Sequence, residues 1–123
     1  MSADNDHAKP FTFPRRYPRV ESTSQIHYKL LNEDEQTGTG ITRSLSEGGV
    51  LFETDLRLGK GKELQVTFEL FGVEISASGE IIYINRKTAD LYHVAVRFDT
   101  INEEDQVLIQ KKASTIYPHF EPQ

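Results

Sequence analysis

Residues 64–70 show the strictest pattern in the chain, because apolar and polar side chains alternate there at every position. One face of an extended strand would carry the apolar residues Leu64, Val66, Phe68 and Leu70. Gln65, Thr67 and Glu69 would point the other way, since successive side chains of a strand lie on opposite faces. The pattern predicts a β-strand with one buried face.

Similar apolar alternation recurs at even spacing in residues 26–30, 50–53, 73–77 and 94–98, and residues 81–84 are all apolar. We expect residues 32–40 to form a polar connection, and Gly72 to mark a tight reversal. Near Gly79 the alternation loses its phase, which is typical of a β-bulge that helps a sheet to curl. The sequence thus predicts about six short strands.

The period changes after residue 101. Asn102 can cap a helix, with acidic residues following in its first turn, and Pro118 would end that helix. An open antiparallel sheet of six strands would leave two edges exposed to aggregation, and closure removes them. The predicted fold is therefore mainly β: a six-stranded antiparallel β-barrel with a C-terminal α-helix, about 102–117, at one end.

The length of 123 residues suits one domain. We expect a flexible N-terminal arm over residues 1–14, the barrel domain over 15–117 and a tail over 118–123. The chain has no cysteine, no apolar run long enough to cross a membrane and no secretory signal. These features predict a cytoplasmic protein that does not associate with a membrane.

The formal net charge is −5, which argues against a general binder of DNA or RNA because such proteins usually present a basic face. The predicted strands alternate apolar residues with Gln, Thr and Glu, which also disfavours a barrel that binds single-stranded nucleic acid. An anionic ligand would have to be held by a local basic cluster. The densest such cluster is Arg15, Arg16 and Arg19.

We call residues 15–19 the arginine strap. Pro18 disfavours helix at Tyr17, so the strap should be extended or looping. A guanidinium group can bind a phosphate, or the O6 and N7 atoms of guanine, through two parallel hydrogen bonds. The strap thus suits a ligand with guanines and phosphates, and a solvated basic linker is the alternative.

Residues 42–49, the serine–glycine segment, lie between two strand patterns. The hydroxyl groups of Ser44 and Ser46 and exposed backbone N–H groups could hold a phosphate or a guanine edge. Gly48 and Gly49 would allow a ligand to approach the backbone closely. The alternative is an ordinary hairpin turn that uses serine and glycine for conformational reasons.

Together the two segments resemble the PilZ domain family, in which an R-x-x-x-R strap is followed by [D/N]-x-S-x-x-G. Arg15 and Arg19 match the first motif, and Ser44, Ser46 and Gly49 fall on the second. The family has a six-stranded barrel of the split-barrel type followed by a helix. Its strap wraps cyclic di-GMP (c-di-GMP), as an intercalated dimer or a monomer.

The resemblance implies a role for each matching residue. Arg15 and Arg19 would contact guanine edges and phosphates, with Arg16 as a further phosphate contact. Ser46 would hydrogen-bond the ligand, and Gly49, next to Gly48, would keep the turn open. Tyr83 lies where some family members place a side chain beside a guanine, although it could equally face the core or the helix.

The sequence departs from the family pattern at two positions. Ser44 replaces the usual Asp or Asn, whose oxygen accepts hydrogen bonds from guanine, so recognition there should weaken. Pro14 stands where many members have another arginine, which favours one ligand molecule over a stacked pair. A PilZ-type protein-interaction module that does not bind c-di-GMP is therefore the alternative function.

The sequence predicts no enzyme, no cofactor and no metal site. The four histidines are far apart and follow no metal-binding spacing, and neither serine of the serine–glycine segment has a neighbouring base. The predicted partners are c-di-GMP and an unidentified effector protein. We expect a monomer or a weak homodimer.

Overall fold

The computed structural model describes residues 20–21, 23–31 and 36–116. The elements in chain order are β1 (Val20–Glu21), β2 (Gln25–Leu30), β3 (Thr37–Ser46), β4 (Gly49–Thr54), β5 (Glu63–Leu70), β6 (Val73–Thr88), β7 (Leu91–Ile101) and α1 (Glu103–Ile116). The strand order β3–β2–β5–β6–β7–β4 returns to β3 through a β3–β4 pairing, and every pairing is antiparallel. The predicted six-stranded antiparallel barrel with a C-terminal helix is confirmed, and the short β1 adds to β3 outside the ring.

The barrel interior is apolar because alternate residues of each strand point into it. All four apolar residues of the 64–70 pattern are buried, as that pattern predicts. The largest fully buried side chain is Phe52 of β4. Ile109 of α1 is 0% exposed and belongs to the same buried cluster, so the helix covers part of the core. Burying such an aliphatic side chain stabilises the fold by roughly 1.5–3 kcal/mol.

Residues 37–40 belong to β3, so the prediction of a polar connection over the whole of residues 32–40 was wrong. Gly38 lies opposite Tyr28 of β2, and a Cβ on Gly38 would collide with the Tyr28 ring. Gly40 has no room for a Cβ either, because the backbone oxygen of Glu53 occupies that space. Glycine at these inward positions makes room for aromatic rings and removes the apolar alternation that would have revealed the strand.

The serine–glycine segment is mostly strand as well, which corrects the prediction that it lies between two strands. β3 continues to Ser46 and β4 begins at Gly49, so only Glu47 and Gly48 form the turn. The strand extends this far because residues 44 and 45 pair on both sides, with β1 and with β4.

The two predictions at glycines of the β5–β6 hairpin are confirmed. Gly72 has a φ of 74° and follows Phe71, whose φ of 56° is unusual for a side chain of that size, so the two form a tight reversal. The β6–β7 register shifts between Ser78 and Gly79, which is the expected bulge. A Cβ on Gly79 would meet the backbone oxygen of Arg97 in β7, so the bulge needs glycine.

Helix α1 begins as the sequence predicts. The Oδ1 atom of Asn102 accepts a hydrogen bond from the N–H of Glu104 at 2.8 Å. Glu103, Glu104 and Asp105 occupy the first turn, where the helix dipole favours negative charge. Pro118, the expected end signal, lies outside the described residues.

Candidate functional site

Four residues from four neighbouring strands form a row on the outside of the barrel, which we call the outer row. The register pairs Ser44 with Leu51, Leu51 with Ala95, and Ala95 with Tyr83. Directly opposite residues of paired strands point to the same face. The adjacent row, which points inward, consists of Leu45, Val50, Val96 and Ile81, all 0% exposed.

The outer row therefore brings together Ser44 and Tyr83, two of the residues predicted to contact a ligand. They lie three strand spacings apart, which corresponds to about 14 Å. Both are partly exposed, as is Leu51, whereas Ala95 between Leu51 and Tyr83 is 0% exposed. The row has a polar residue at each end and apolar residues between them.

Strand β1 fixes the point at which the arginine strap reaches the barrel. Val20 lies opposite Leu45, and Glu21 lies opposite Ser44. Arg19 directly precedes Val20 in the sequence. The two residues that follow the strap in the sequence are thus paired at the Ser44 end of the outer row.

A side-chain clamp holds the connection between β1 and β2 against β3. The Thr42 hydroxyl accepts a hydrogen bond from the N–H of Ser24 at 2.9 Å and donates one to the Ser24 carbonyl oxygen at 3.0 Å. The N–H of Thr42 also donates to that carbonyl oxygen at 2.8 Å. Thr42 is fully buried, so solvent does not compete for these bonds.

Ser46 is 1% exposed and shapes the turn. Its Oγ atom accepts a hydrogen bond from the N–H of Gly48 at 3.1 Å. The carbonyl oxygen of Gly48 accepts a bond from the N–H of Phe98 at 2.8 Å, which joins the turn to β7. Gly49 follows at the start of β4, opposite Ser46 and two residues along the strand from Leu51 of the outer row, and is also buried.

Arg97 is a basic residue beside the serine–glycine segment that the sequence analysis did not single out. Arg97 belongs to β7 and lies opposite Gly49 of β4, and its side chain is 57% exposed. It donates to the Glu80 carboxylate at 2.8 Å, and its Nε lies 4.0 Å from Asp99. Exposed ion pairs of this kind contribute little stability, so Arg97 can exchange partners readily. Arg97 lies between Val96 and Phe98 in an alternating stretch, so the sequence pattern indicated that its side chain points outward.

A third row, on the other side of the outer row, consists of Glu53, His93 and Asn85. The Nε2 atom of His93 lies 2.7 Å from Glu53 Oε2, and the Nε atom of Arg43 lies 3.6 Å from the same oxygen. Asn85, at the β6 end of this row, is 7% exposed. At the β4 end of the row, polar contacts thus link His93 and Arg43 to Glu53.

Glu47, in the turn next to Ser46, carries a carboxyl group with a raised pKa. Its Oε2 atom is buried and has no hydrogen-bond partner within the described part of the chain. Burial raises the pKa of the Glu47 carboxyl above its usual value, because loss of solvent disfavours the charged form.

The predicted site residues thus fall into four groups. Ser44 and Tyr83 share the outer row, Gly49 lies two residues along β4 from that row, and Ser46 and Gly48 bond to each other in the turn. Arg15, Arg16 and Arg19 lie outside the described residues. Among the described ranges, no three His, Cys, Asp or Glu residues are grouped so as to hold a metal ion. No helix within those ranges combines the length and apolar character needed to cross a membrane.

Comparison with solved structures finds the same fold in several proteins. Inhibitor of motility (MotI/DgrA) of Bacillus subtilis matches with a TM-score of 0.71 and 15% identity, over 87% of this chain and 53% of that chain. The PilZ domain of YcgR from Escherichia coli, solved with c-di-GMP, matches with a TM-score of 0.62 and 17% identity, over 88% of this chain and 100% of that chain. The K. pneumoniae MrkH–c-di-GMP complex matches with a TM-score of 0.64 and 18% identity, over 87% of this chain and 54% of the MrkH chain.

This chain spans about half the length of the MotI/DgrA and MrkH chains. No curated protein sequence matches it. The family model described as "PilZ domain" matches residues 13–113, which is most of the 123 residues. That range includes both the arginine strap and the serine–glycine segment, and the barrel with its helix is the fold of the solved PilZ domain of YcgR. The chain therefore belongs to the PilZ domain family.

Proposed function

We propose that this chain is a receptor that binds c-di-GMP between the arginine strap and the outer row. The observation that carries the proposal is the pairing of β1 with β3. This pairing anchors the strap beside Ser44, at one end of a row that has Tyr83 at its other end. A basic segment and a partly apolar face are thus tethered to each other.

The strap is long enough to cover the whole row. Arg15 precedes the anchored Val20 by five residues, and an extended chain of five residues spans up to about 17 Å. The outer row itself measures about 14 Å. Arginine side chains on the strap can therefore reach phosphates or guanine edges at any point along the row.

The chemistry of the two surfaces suits this ligand. Guanidinium groups bind phosphate oxygens with charge-assisted hydrogen bonds, and they also match the O6 and N7 atoms of guanine. The partly exposed side chains of Leu51 and Tyr83 offer apolar surface to the flat face of a base. The solved YcgR PilZ domain and MrkH contain c-di-GMP and share this fold. PilZ domains are binding domains, so we propose a receptor role without catalysis.

In this proposal the ligand orders the strap against the barrel, and the new surface signals to a partner protein in the cytoplasm. Ordering a segment on binding costs conformational entropy, which the charge-assisted contacts offset. The alternative is a PilZ-type interaction module that does not bind c-di-GMP. Ser44 favours it, because a hydroxyl replaces the usual carboxylate or amide at that position.

Isothermal titration calorimetry with c-di-GMP separates the two functions. The unmodified protein should bind at ligand concentrations on the order of tens of micromolar, where Kd values of 1–100 μM are measurable. Arg15→Ala and Arg19→Ala should each weaken binding by at least about tenfold, because a charge-assisted bidentate contact contributes roughly 1.5–3 kcal/mol.

Arg57→Ala is the matched control. Arg57 is exposed and follows β4, at the end of that strand opposite to Gly49. Its loss should therefore leave the affinity unchanged. Absence of heat from the unmodified protein would favour the interaction module. Equal binding by the unmodified protein and both strap variants would show that the ligand does not use the strap.

A further inference from the structure

Asn85 belongs to neither sequence motif, yet it lies on the same outer face as the outer row. It follows Tyr83 by two positions on β6, and it lies opposite His93 of β7. Residues two apart on a strand point to the same side and lie about 7 Å from each other. Asn85 is therefore the immediate neighbour of the Tyr83 end of the candidate site.

The Asn85 side chain holds a hydrogen-bond acceptor that no described residue satisfies. The residue is 7% exposed, and its Oδ1 atom has no partner within the described part of the chain. The adjacent His93 does not supply a donor from Nε2, because that nitrogen lies 2.7 Å from Glu53 Oε2. Buried side-chain acceptors without a donor are uncommon in native proteins, so each such atom calls for an explanation, a functional role among them.

A guanine at the Tyr83 end of the outer row needs an acceptor of its own, separate from Ser44. Guanine presents N–H donors at N1 and at its 2-amino group, and the hydroxyl of Ser44 is too short to replace a carboxylate that accepts from both. An amide oxygen at Asn85, at the other end of the outer row, can accept from the second guanine of the ligand.

We propose that Asn85 is a specificity-determining residue whose Oδ1 atom accepts a hydrogen bond from the 2-amino group of a guanine held beside Tyr83. This inference rests on the proposed binding of c-di-GMP. The terminal torsion of an asparagine side chain has broad energy minima, so rotation about χ2 turns Oδ1 toward the outer row without a change in the backbone. The bond formed with the ligand satisfies the buried acceptor.

The test is a cycle of two proteins and two ligands measured by titration calorimetry. The proteins are the unmodified chain and Asn85→Leu, which keeps the side-chain size and removes the amide. The ligands are c-di-GMP and cyclic di-inosine monophosphate, whose bases lack the 2-amino group. Asn85→Leu should weaken c-di-GMP binding roughly fivefold, the effect of one hydrogen bond, and should leave binding of the inosine ligand nearly unchanged.

Ser76→Leu is the matched control, because Ser76 lies on the outer side of the same strand, far from Tyr83, and is exposed. It should bind both ligands as the unmodified protein does. Thermal melting followed by circular dichroism checks that each variant folds, and Asn85→Ala replaces Asn85→Leu if the larger side chain prevents folding.

Three outcomes would overturn the inference. If Asn85→Leu weakens both ligands by the same factor, Asn85 shapes the site and does not read the 2-amino group. If it weakens neither ligand while the unmodified protein binds c-di-GMP, the inference fails and the proposed function stands. If the unmodified protein binds neither ligand, the proposed function fails and the inference fails with it.

Discussion

Ser44 is the residue at which the proposed binding site differs most from its family. It lies at one end of the outer row, is partly exposed, and pairs with both Glu21 and Leu51. Its side chain thus points out beside the strand that anchors the arginine strap. A longer acceptor at this position would extend toward a bound guanine without disturbing the core.

We therefore expect Ser44→Asp to raise the affinity for c-di-GMP about five- to tenfold, because a carboxylate can accept from both guanine donors. Titration calorimetry measures the change, and Ser76→Asp controls for the added negative charge. An unchanged or lower affinity would mean that position 44 does not face a guanine.

Glu47 gives the turn a pH-dependent contribution to stability. Burial raises the pKa of its carboxyl group above the usual value of 4.5, so the folded protein keeps this proton to higher pH than the unfolded chain does. The stabilising contribution of the protonated form is fully present below 4.5 and is lost as the pH rises through the folded-state pKa.

Replacing Glu47 with Gln removes the charge that would have to be buried. Glu47→Gln should increase the free energy of unfolding at about pH 7 and leave it unchanged at about pH 4, where the glutamate is protonated in both states. Urea denaturation at the two pH values measures the difference, with the exposed Glu69→Gln as control. An equal effect of Glu47→Gln at both pH values would show that burial of the charged carboxylate is not the cause.

At the scale of elements, β3 connects the fold to the site. Its first half pairs with β2, and its second half pairs with β1 and β4, so one strand closes the barrel and anchors the strap. The Thr42 clamp holds the incoming chain at Ser24, close to that junction. Stability of this junction should therefore affect ligand affinity as well as folding.

Thr42→Val keeps the shape of the side chain and removes the three hydrogen bonds that its hydroxyl makes to Ser24. We expect a loss of about 1–3 kcal/mol in the free energy of unfolding, together with weaker c-di-GMP binding. Thr67→Val is the matched control, because its hydroxyl makes one exposed bond to Ser76 at 3.2 Å. Reduced stability with unchanged affinity would show that the clamp does not position the strap.

The elements also show where sequence patterns succeed. Strict alternation in residues 64–70 predicts β5, and the cap at Asn102 predicts the start of α1, because each depends on local geometry alone. The first half of β3 escaped prediction because Gly38 and Gly40 occupy its inward positions, where Tyr28 and Phe52 approach the backbone. Likewise, the motif identified Ser44 but not Asn85 or Arg97, whose closeness to the site depends on the pairing of β6 with β7.

At the scale of the whole molecule, barrel closure decides which residues meet. The ring from β3 to β4 brings positions as distant in sequence as 44 and 83 to one face. The bulge at Gly79 is part of this closure, since β6 shifts register there and β7 approaches closely. A chain of net charge −5 can then hold an anion only where its local arginines are gathered.

Gly79→Ala tests the importance of the bulge. The added Cβ would meet the backbone oxygen of Arg97, which cannot move without separating β6 from β7. We expect the free energy of unfolding to fall by about 1–3 kcal/mol, as measured by chemical denaturation. Ser78→Ala, at the neighbouring position, should have little effect, and similar values for the two variants would contradict the close approach.

The most direct test of the proposed receptor site is an NMR titration of the ¹⁵N-labelled chain with c-di-GMP. We predict that the largest amide shift changes occur at Ser44, Leu51, Ala95 and Tyr83 and in the arginine strap. The amides of His27, Lys29, Gln65 and Thr67, which line an open hollow on the other side of the barrel, should change little. Changes concentrated at that hollow, or no changes in the outer row, would contradict the proposal.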